Sequence, residues 1–146
     1  MAKQIYVNLP VKDLNKTVEF FTKLGFKFNP QFTDEKATCM IIDDNIFVML
    51  LTEEFYKSFT KKEIPDTFKT SGVIIAISAE SREKVDELIS KAEGAGGTVT
   101  SRIDDMDWMY NRGFQDINGH LWEVAYMDME ALKRYEEANK EKEKIH

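Results

Sequence analysis

Arg112-Gly113-Phe114-Gln115-Asp116-Ile117-Asn118-Gly119-His120-Leu121-Trp122-Glu123-Val124-Ala125-Tyr126 is the stretch from which the fold is read. Two runs rich in aromatic and β-branched residues flank Asp116-Ile117-Asn118-Gly119, whose Asn and Gly tolerate positive φ at low cost. The stretch reads as a β-hairpin. Beyond the turn the side chains alternate, with His120, Trp122, Val124 and Tyr126 on one face and Leu121, Glu123 and Ala125 on the other. Glu123 therefore sits mid-strand among apolar neighbours. A carboxylate there is either paired or working.

Working outward, strands are expected at Thr98 to Ile103, Trp108 to Gln115 and His120 to Tyr126. Ahead of them Ser81 caps a helix carrying Val85, Leu88, Ile89 and Ala92, which Gly94-Ala95-Gly96-Gly97 ends. Val73 to Ser78 is an apolar strand before that helix. The same order occurs earlier in the chain. Gln4 to Leu9 reads as a strand ended by Pro10. Asp13 caps a helix from Leu14 to Leu24, closed by Gly25. Strands follow at Phe26 to Phe32, Ala37 to Ile42 and Ile46 to Leu51. Residues 52–71 are a polar linker whose start reads as a short helix, with Phe55 and Phe59 at i, i+4 spacing. The pattern βαβββ thus occurs twice, an internal repeat of two modules. The class is α+β. A helix covers one face of each curved sheet, and the two free faces are expected to make a cleft.

The hairpin sets what that cleft contains. A turn centred between Ile117 and Asn118 places Arg112 opposite Glu123 and Phe114 opposite Leu121. A shift of two residues places Phe114 opposite Glu123. Either way Trp108, Tyr110, Arg112 and Phe114 share the face of Leu121, Glu123 and Ala125. A bulge at Gly113 breaks this parity.

Composition narrows the partners. Of 146 residues, 42% are hydrophobic and 12% aromatic, enough for a sizeable core, and the net charge is −6. That balance argues against nucleic acid, which needs a basic footprint. No apolar run is long enough to span a bilayer. The N-terminal residues lack a signal-peptide h-region, so a cytoplasmic protein is expected. The single Cys39 lies in a strand and reads as a small buried hydrophobe rather than a nucleophile. Asp104, Asp105 and Asp107 read as an acidic loop, solvated rather than attracting a cation.

Two motifs, Val7 to Phe26 (VNLPVKDLNKTVEFFTKLGF) and Asp116 to Val124 (DINGHLWEV), together with the repeat, resemble the vicinal oxygen chelate superfamily. That group includes glyoxalase I, the bleomycin-resistance proteins and the extradiol dioxygenases, and the likeness is greatest to predicted lactoylglutathione lyase-like proteins. The resemblance implies one domain over residues 1–128. Its first module spans about 3–52, its linker 53–71 and its second module about 72–127. A charged helical tail, 129–146, follows, which Met129, Leu132 and Tyr135 could dock. By the same resemblance a homodimer is expected.

In the superfamily's metal enzymes four cleft positions carry His or Glu. Carried onto this chain they fall at Tyr6, at about Leu50, near Ile74 and at Glu123. Only Glu123 keeps a ligating side chain, and the histidines, His120 and His146, lie at a turn and at the chain end. The resemblance therefore points toward the metal-free binding members. No cofactor is expected, with a divalent metal on Glu123 as the alternative. The expected ligand-binding residues are Tyr6, Asn8, Leu50, Ile74, Trp108, Tyr110, Arg112, Phe114 and Glu123. Such a mixture suits a small organic ligand with a polar or anionic group, held by Arg112. Each has a plainer reading: Arg112 and Glu123 as a structural ion pair, Trp108 and Tyr110 as packing, Trp122 as core. Three functions compete. They are metal-free ligand binding, glyoxalase-type lyase, isomerase or dioxygenase chemistry with Glu123 as base, and a dimeric scaffold with a vestigial cleft.

Overall fold

Asp13 accepts a hydrogen bond from the Lys16 amide at 3.0 Å and opens the first helix, and Gly25, at φ 100°, follows its end. These are the caps expected from the sequence. The computed structural model describes residues 1–145, and His146 lies outside the described residues. The elements run β1 (Ile5–Val11), α1 (Leu14–Lys23), β2 (Lys27–Asn29), a 3-10 turn at Pro30–Phe32, β3 (Ala37–Asp43), β4 (Ile46–Thr52) and α2 (Glu53–Lys57). The series repeats as β5 (Ile74–Ser78), α3 (Arg82–Gly94), β6 (Thr98–Met106), β7 (Met109–Gln115) and β8 (Leu121–Met127), before the tail helix α4 (Met129–Ile145).

Two four-stranded mixed sheets result, ordered β1-β4-β3-β2 and β5-β8-β7-β6. In each, the first strand runs parallel to the last strand of its own module. This is the expected α+β arrangement of two βαβββ modules. The chain divides into two units. One comprises Met1–Gly72 with Ile117–His120, the other Val73–Asp116 with the residues from Leu121 onward.

In the first unit, buried Thr17, Phe20 and Phe21 line the inner side of α1. Leu9, Val11, Val48 and Leu50 are fully buried on one face of the sheet, while Tyr6 is 47% exposed on the other. β1 runs through Pro10 instead of stopping at it. The strand pairs only with β4 in its sheet, so an edge absorbs the missing N–H. β2 is shorter than expected, because Pro30 opens the 3-10 turn that Asn29 caps. Cys39 is buried, and burial pushes its thiol up in pKa, away from nucleophilic character.

The segment Ile117–His120 is built into this unit. Asn118 Oδ1 accepts from the Lys12 amide and its Nδ2 donates to Thr17 Oγ1, both at 3.0 Å. His120 Nε2 donates to the Pro10 carbonyl at 2.7 Å, and Thr67 Oγ1 donates to the Asn118 carbonyl. Gly119 holds φ 88°, and a Cβ there would meet Thr67 backbone at 2.8 Å. Glycine is required on both counts.

In the second unit Ser81 caps α3, accepting from the Lys84 amide at 3.1 Å. Val85, Ile89 and Ala92 are buried beneath it. Trp122 is in the core as expected, stacked on Phe114 at 6.1 Å, with its indole N–H donated to Asp116 at 2.9 Å. β6 extends to Met106, so Asp104 and Asp105 are strand residues opposite Asn111 and Tyr110, not a solvated loop. The cause is the tight Asp107-Trp108 turn, which lets the ladder run almost to its end.

The register of β7 against β8 departs from expectation. Gly113 lies opposite Glu123, Arg112 opposite Val124, and Gln115 opposite Leu121. The connecting loop therefore has five residues, Asp116 to His120, centred on Asn118. An odd loop moves the register by one and exchanges the faces of β7. Asn111, Gly113 and Gln115 share the face of Glu123, and Tyr110, Arg112 and Phe114 share the face of Trp122 and Val124.

Candidate functional site

Glu123 projects from the middle of β8, half-buried, between Leu121 and Ala125. Ile74 and Ala76 on the parallel neighbour β5 pair with Leu121 and Glu123 and stand on the same face, Ile74 54% exposed. On the other side Asn111 is diagonal to Glu123, and Asp104 of β6 lies directly opposite Asn111. Asn111 Nδ2 donates to Glu123 Oε2 and to Asp104 Oδ2, both at 3.3 Å. One amide group thus spans two carboxylates on three adjacent strands.

Those two oxygens can be no more than about 6.6 Å apart, twice the bond length. Like charges at that separation repel by about 0.6–2.5 kcal/mol for effective dielectrics of about 80 down to 20. The amide donors offset this. Arg102 also pairs with Asp104 at 3.1 Å, but its side chain is 76% exposed, so its effect is weak. Asn111 Oδ1 is buried and has no hydrogen-bond partner among the described residues. What this face offers inward is acceptors: two carboxylates and one amide carbonyl.

Gly113 shapes the face beside Glu123. A Cβ there would meet Thr100 Oγ1 at 2.6 Å, the Trp122 carbonyl at 3.0 Å and Glu123 Cγ at 3.8 Å. The Thr100 hydroxyl fills the space that a side chain at position 113 would take. Asn111, Asp104, Thr100 and Gly113 were not among the expected site residues. For Asn111 and Gly113 the signal was loop parity: a loop of odd length selects them in place of their neighbours.

Arg112 and Tyr110 belong to the opposite face, under α3. Tyr110 Oη donates to Asp86 Oδ1 at 2.6 Å, and an Arg112 guanidinium N–H donates to the same oxygen at 3.1 Å. The Tyr110 hydroxyl holds the Asp86 carboxyl below the usual carboxylate range; partial burial opposes this and the Arg112 bond assists. The same bond from Tyr110 to Asp86, with burial, pushes the Tyr110 phenol up. Asp86 likewise keeps Arg112 firmly protonated. Arg82 lies over the Tyr110 ring, 5.2 Å from its centroid, and pairs with Asp105 at 2.6 Å. The expected pairing of Arg112 with Glu123, and with it an anion held beside Glu123 by Arg112, is corrected by the one-residue register. Phe114 is fully buried in the core and leaves the Glu123 face for the same reason. Trp108 sits in the β6–β7 turn, 6.4 Å from the ring of Tyr135 on α4.

In the first unit Tyr6 stacks on Phe47 at 4.9 Å and donates to Gln4 at 3.1 Å. Asn8 shares the Tyr6 face and lies opposite Met49. Leu50 does not: it pairs with Leu9 on the fully buried face, so the residues of β4 that share the Tyr6 face are Phe47 and Met49. Parity again decides this.

The four positions that the resemblance assigns to metal ligands can now be tested by their chemistry. Tyr6 is stacked and hydrogen-bonded, Leu50 and Ile74 carry only hydrocarbon, and Glu123 is engaged by an amide. Among the described residues no group of three or more His, Cys, Asp or Glu is placed to hold a metal ion. This donor set does not fit a metal of the kind the superfamily's enzymes bind, which requires several imidazole or carboxylate ligands converging on one point.

Comparison with known proteins agrees with the fold. The family model described as "Glyoxalase/Bleomycin resistance protein/Dioxygenase superfamily" matches residues 3–124. A hypothetical protein from S. aureus is similar at 26% identity over 86% of this chain and 94% of its own, with TM-score 0.74. A glyoxalase-related enzyme from Fulvimarina pelagi shares 16% identity over 86% and 88%, with TM-score 0.72. The genomically encoded fosfomycin resistance protein FosX of Listeria monocytogenes, in complex with Mn(II) and sulfate, shares 22% over 92% and 98%, with TM-score 0.67. No curated protein matches the chain. Among the described residues no helix is long and apolar enough to cross a membrane.

Proposed function

We infer what the Glu123 face does from one premise: the chain belongs to the Glyoxalase/Bleomycin resistance protein/Dioxygenase superfamily. On that premise the protein binds a small organic ligand on the Glu123 face of its second sheet, and does so without a metal ion. The observation that carries this reading is the acceptor cluster of Glu123, Asp104 and Asn111, bordered by apolar Ile74, Leu121 and Ala125. Apolar surface with a few fixed polar groups is what holds and orients small ligands.

The polarity of the cluster names the complementary chemistry. With Arg112 turned beneath α3, no cation pairs with Glu123 among the described residues. The ligand that satisfies this face carries N–H donors and little negative charge, as an organic amine does, because charge-assisted hydrogen bonds to carboxylates are the strong ones. An anionic ligand meets two carboxylates instead.

A thermal-shift screen of matched organic amines and carboxylates tests this. Amines are expected to raise the melting temperature and carboxylates to leave it unchanged, and Glu123→Gln should remove the amine effect. If no amine moves the transition, or Glu123→Gln responds like the wild type, the proposed function is wrong.

A further inference from the structure

We propose that the Asn111 carboxamide occupies the role a bound cation plays elsewhere: it is the built-in counter-group that lets Asp104 and Glu123 share one face. The inference rests on the reading of the Glu123 face as the site. It starts from the disagreement between the superfamily's metal set and the residues found here. Two carboxylates from β6 and β8 converge on one point of β7, and that point is an NH2 group bonded to both at 3.3 Å. An NH2 group has two donor hydrogens and no net charge. It satisfies one oxygen of each carboxylate, which removes the need for a metal ion between them and leaves Glu123 Oε1 for a ligand.

The geometry around Asn111 supports a fixed role. β7 holds Asn111 opposite Asp104 and opposite Ala125, two ladder positions from Glu123 and on its face, so all three groups are set by sheet register rather than by loops. Gly113, the next residue on that face, has no side chain, and Thr100 Oγ1 stands where one would begin. The amide orientation follows from its partners: only Nδ2 can donate to two carboxylates, which leaves Oδ1 as the orphaned acceptor. Position 111 is therefore the residue that sets the face's preference between a metal ion and a metal-free ligand.

The prediction is a gain of metal binding on removing the amide. Asn111→Asp exchanges the NH2 for a third carboxylate oxygen at nearly constant shape. Carboxylate oxygens are the ligands Mn(II) takes, and three in place of two bound to an amide make a site. Mn(II) titration followed by electron paramagnetic resonance is expected to show no saturable site in the wild type up to millimolar metal. Asn111→Asp should gain one site, at least about tenfold tighter than any wild-type binding, and Asn111→Asp/Glu123→Gln should lose it. Asn111→Ala is the second variant. It leaves the two carboxylates facing each other with no donor between them, so its melting temperature should rise with Mn(II) while that of the wild type does not.

Saturable Mn(II) binding by the wild type that Glu123→Gln abolishes would overturn the proposal. So would identical Mn(II) responses of the wild type, Asn111→Ala and a folded Asn111→Asp. The measurements use Mn(II) alone, so a failure of amine binding and a failure of this role for Asn111 are read separately.

Discussion

At the scale of single residues, two glycines are fixed by what surrounds them. Gly119 has φ 88° and a backbone neighbour where its Cβ would be. Gly119→Ala should therefore cost at least about 2 kcal/mol, since the left-handed conformation alone costs an L-residue roughly 1–2 kcal/mol; urea unfolding measures it. Gly113→Ala meets Thr100 and the Trp122 carbonyl. It should destabilise the protein, because the Trp122 carbonyl is backbone and cannot give way as a side chain can. The Tyr110–Asp86 bond makes a pH prediction. Asp86 has a depressed carboxyl pKa, so its contribution is present above the unfolded value of about 3.9 and is lost as pH falls through the lower folded value. Tyr110 is raised, so its contribution is full below about 10 and is lost as pH rises through the folded value. Tyr110→Phe should bring the Asp86 carboxyl back toward its ordinary range in an NMR titration. An unmoved Asp86 would show that the hydrogen bond does not govern it.

At the scale of elements, the hairpin of β7 and β8 shows what a sequence tells and what it withholds. Helices α1 and α3 were legible because Asp13, Ser81 and Gly25 are caps whose chemistry is local. The alternation along β8 was legible too, since period 2 needs no partner, and it placed Glu123 and Trp122 on their proper faces. The partner face of β7 was not legible. It depends on whether the turn holds an even or odd number of residues, and Asp-Ile-Asn-Gly-His fits both. One residue of loop length decided between Arg112 and Asn111 as the neighbour of Glu123. Leu50, carried over from a family position as about residue 50, missed the Tyr6 face of β4 by one residue. Deleting Ile117 tests the point, because an even loop favours the expected register, which turns Arg112 and Phe114 toward the Glu123 face and Asn111 toward the core. Phe114 would then leave the core and its stack on Trp122, so the variant should lose the near-ultraviolet signal of Trp122. Retention of a native spectrum would mean the loop does not set the register.

At the scale of the whole molecule, the double βαβββ repeat was visible because each copy carries its own caps and strand alternation, and the family match over residues 3–124 agrees with it. The nature of the site was less visible. Family positions pointed to Tyr6, Leu50, Ile74 and Glu123, while the groups that engage Glu123 come from β6 and β7. Two global measurements follow. A ligand at a hundred times its dissociation constant should add about 2.7 kcal/mol to unfolding stability. Exhaustive chelation should leave the melting temperature unchanged, and a large fall on chelation would count against a metal-free protein.

The segment Ile117–His120 has a further consequence, one of timing. The first unit consists of residues 1–72 and these four, and its bonds from Asn118 and His120 reach back more than 100 positions, to Lys12, Thr17 and Pro10. A ribosome finishing Gly72 must add another 48 residues before His120 exists, which takes about 2–10 s at roughly 5–20 residues per second. During that interval Thr17 and Lys12 wait without Asn118, so the first half of the gene encodes a unit that its own product cannot yet close. Nascent chains arrested at Gly72 should remain sensitive to protease, and chains arrested once His120 has cleared the exit tunnel should become resistant.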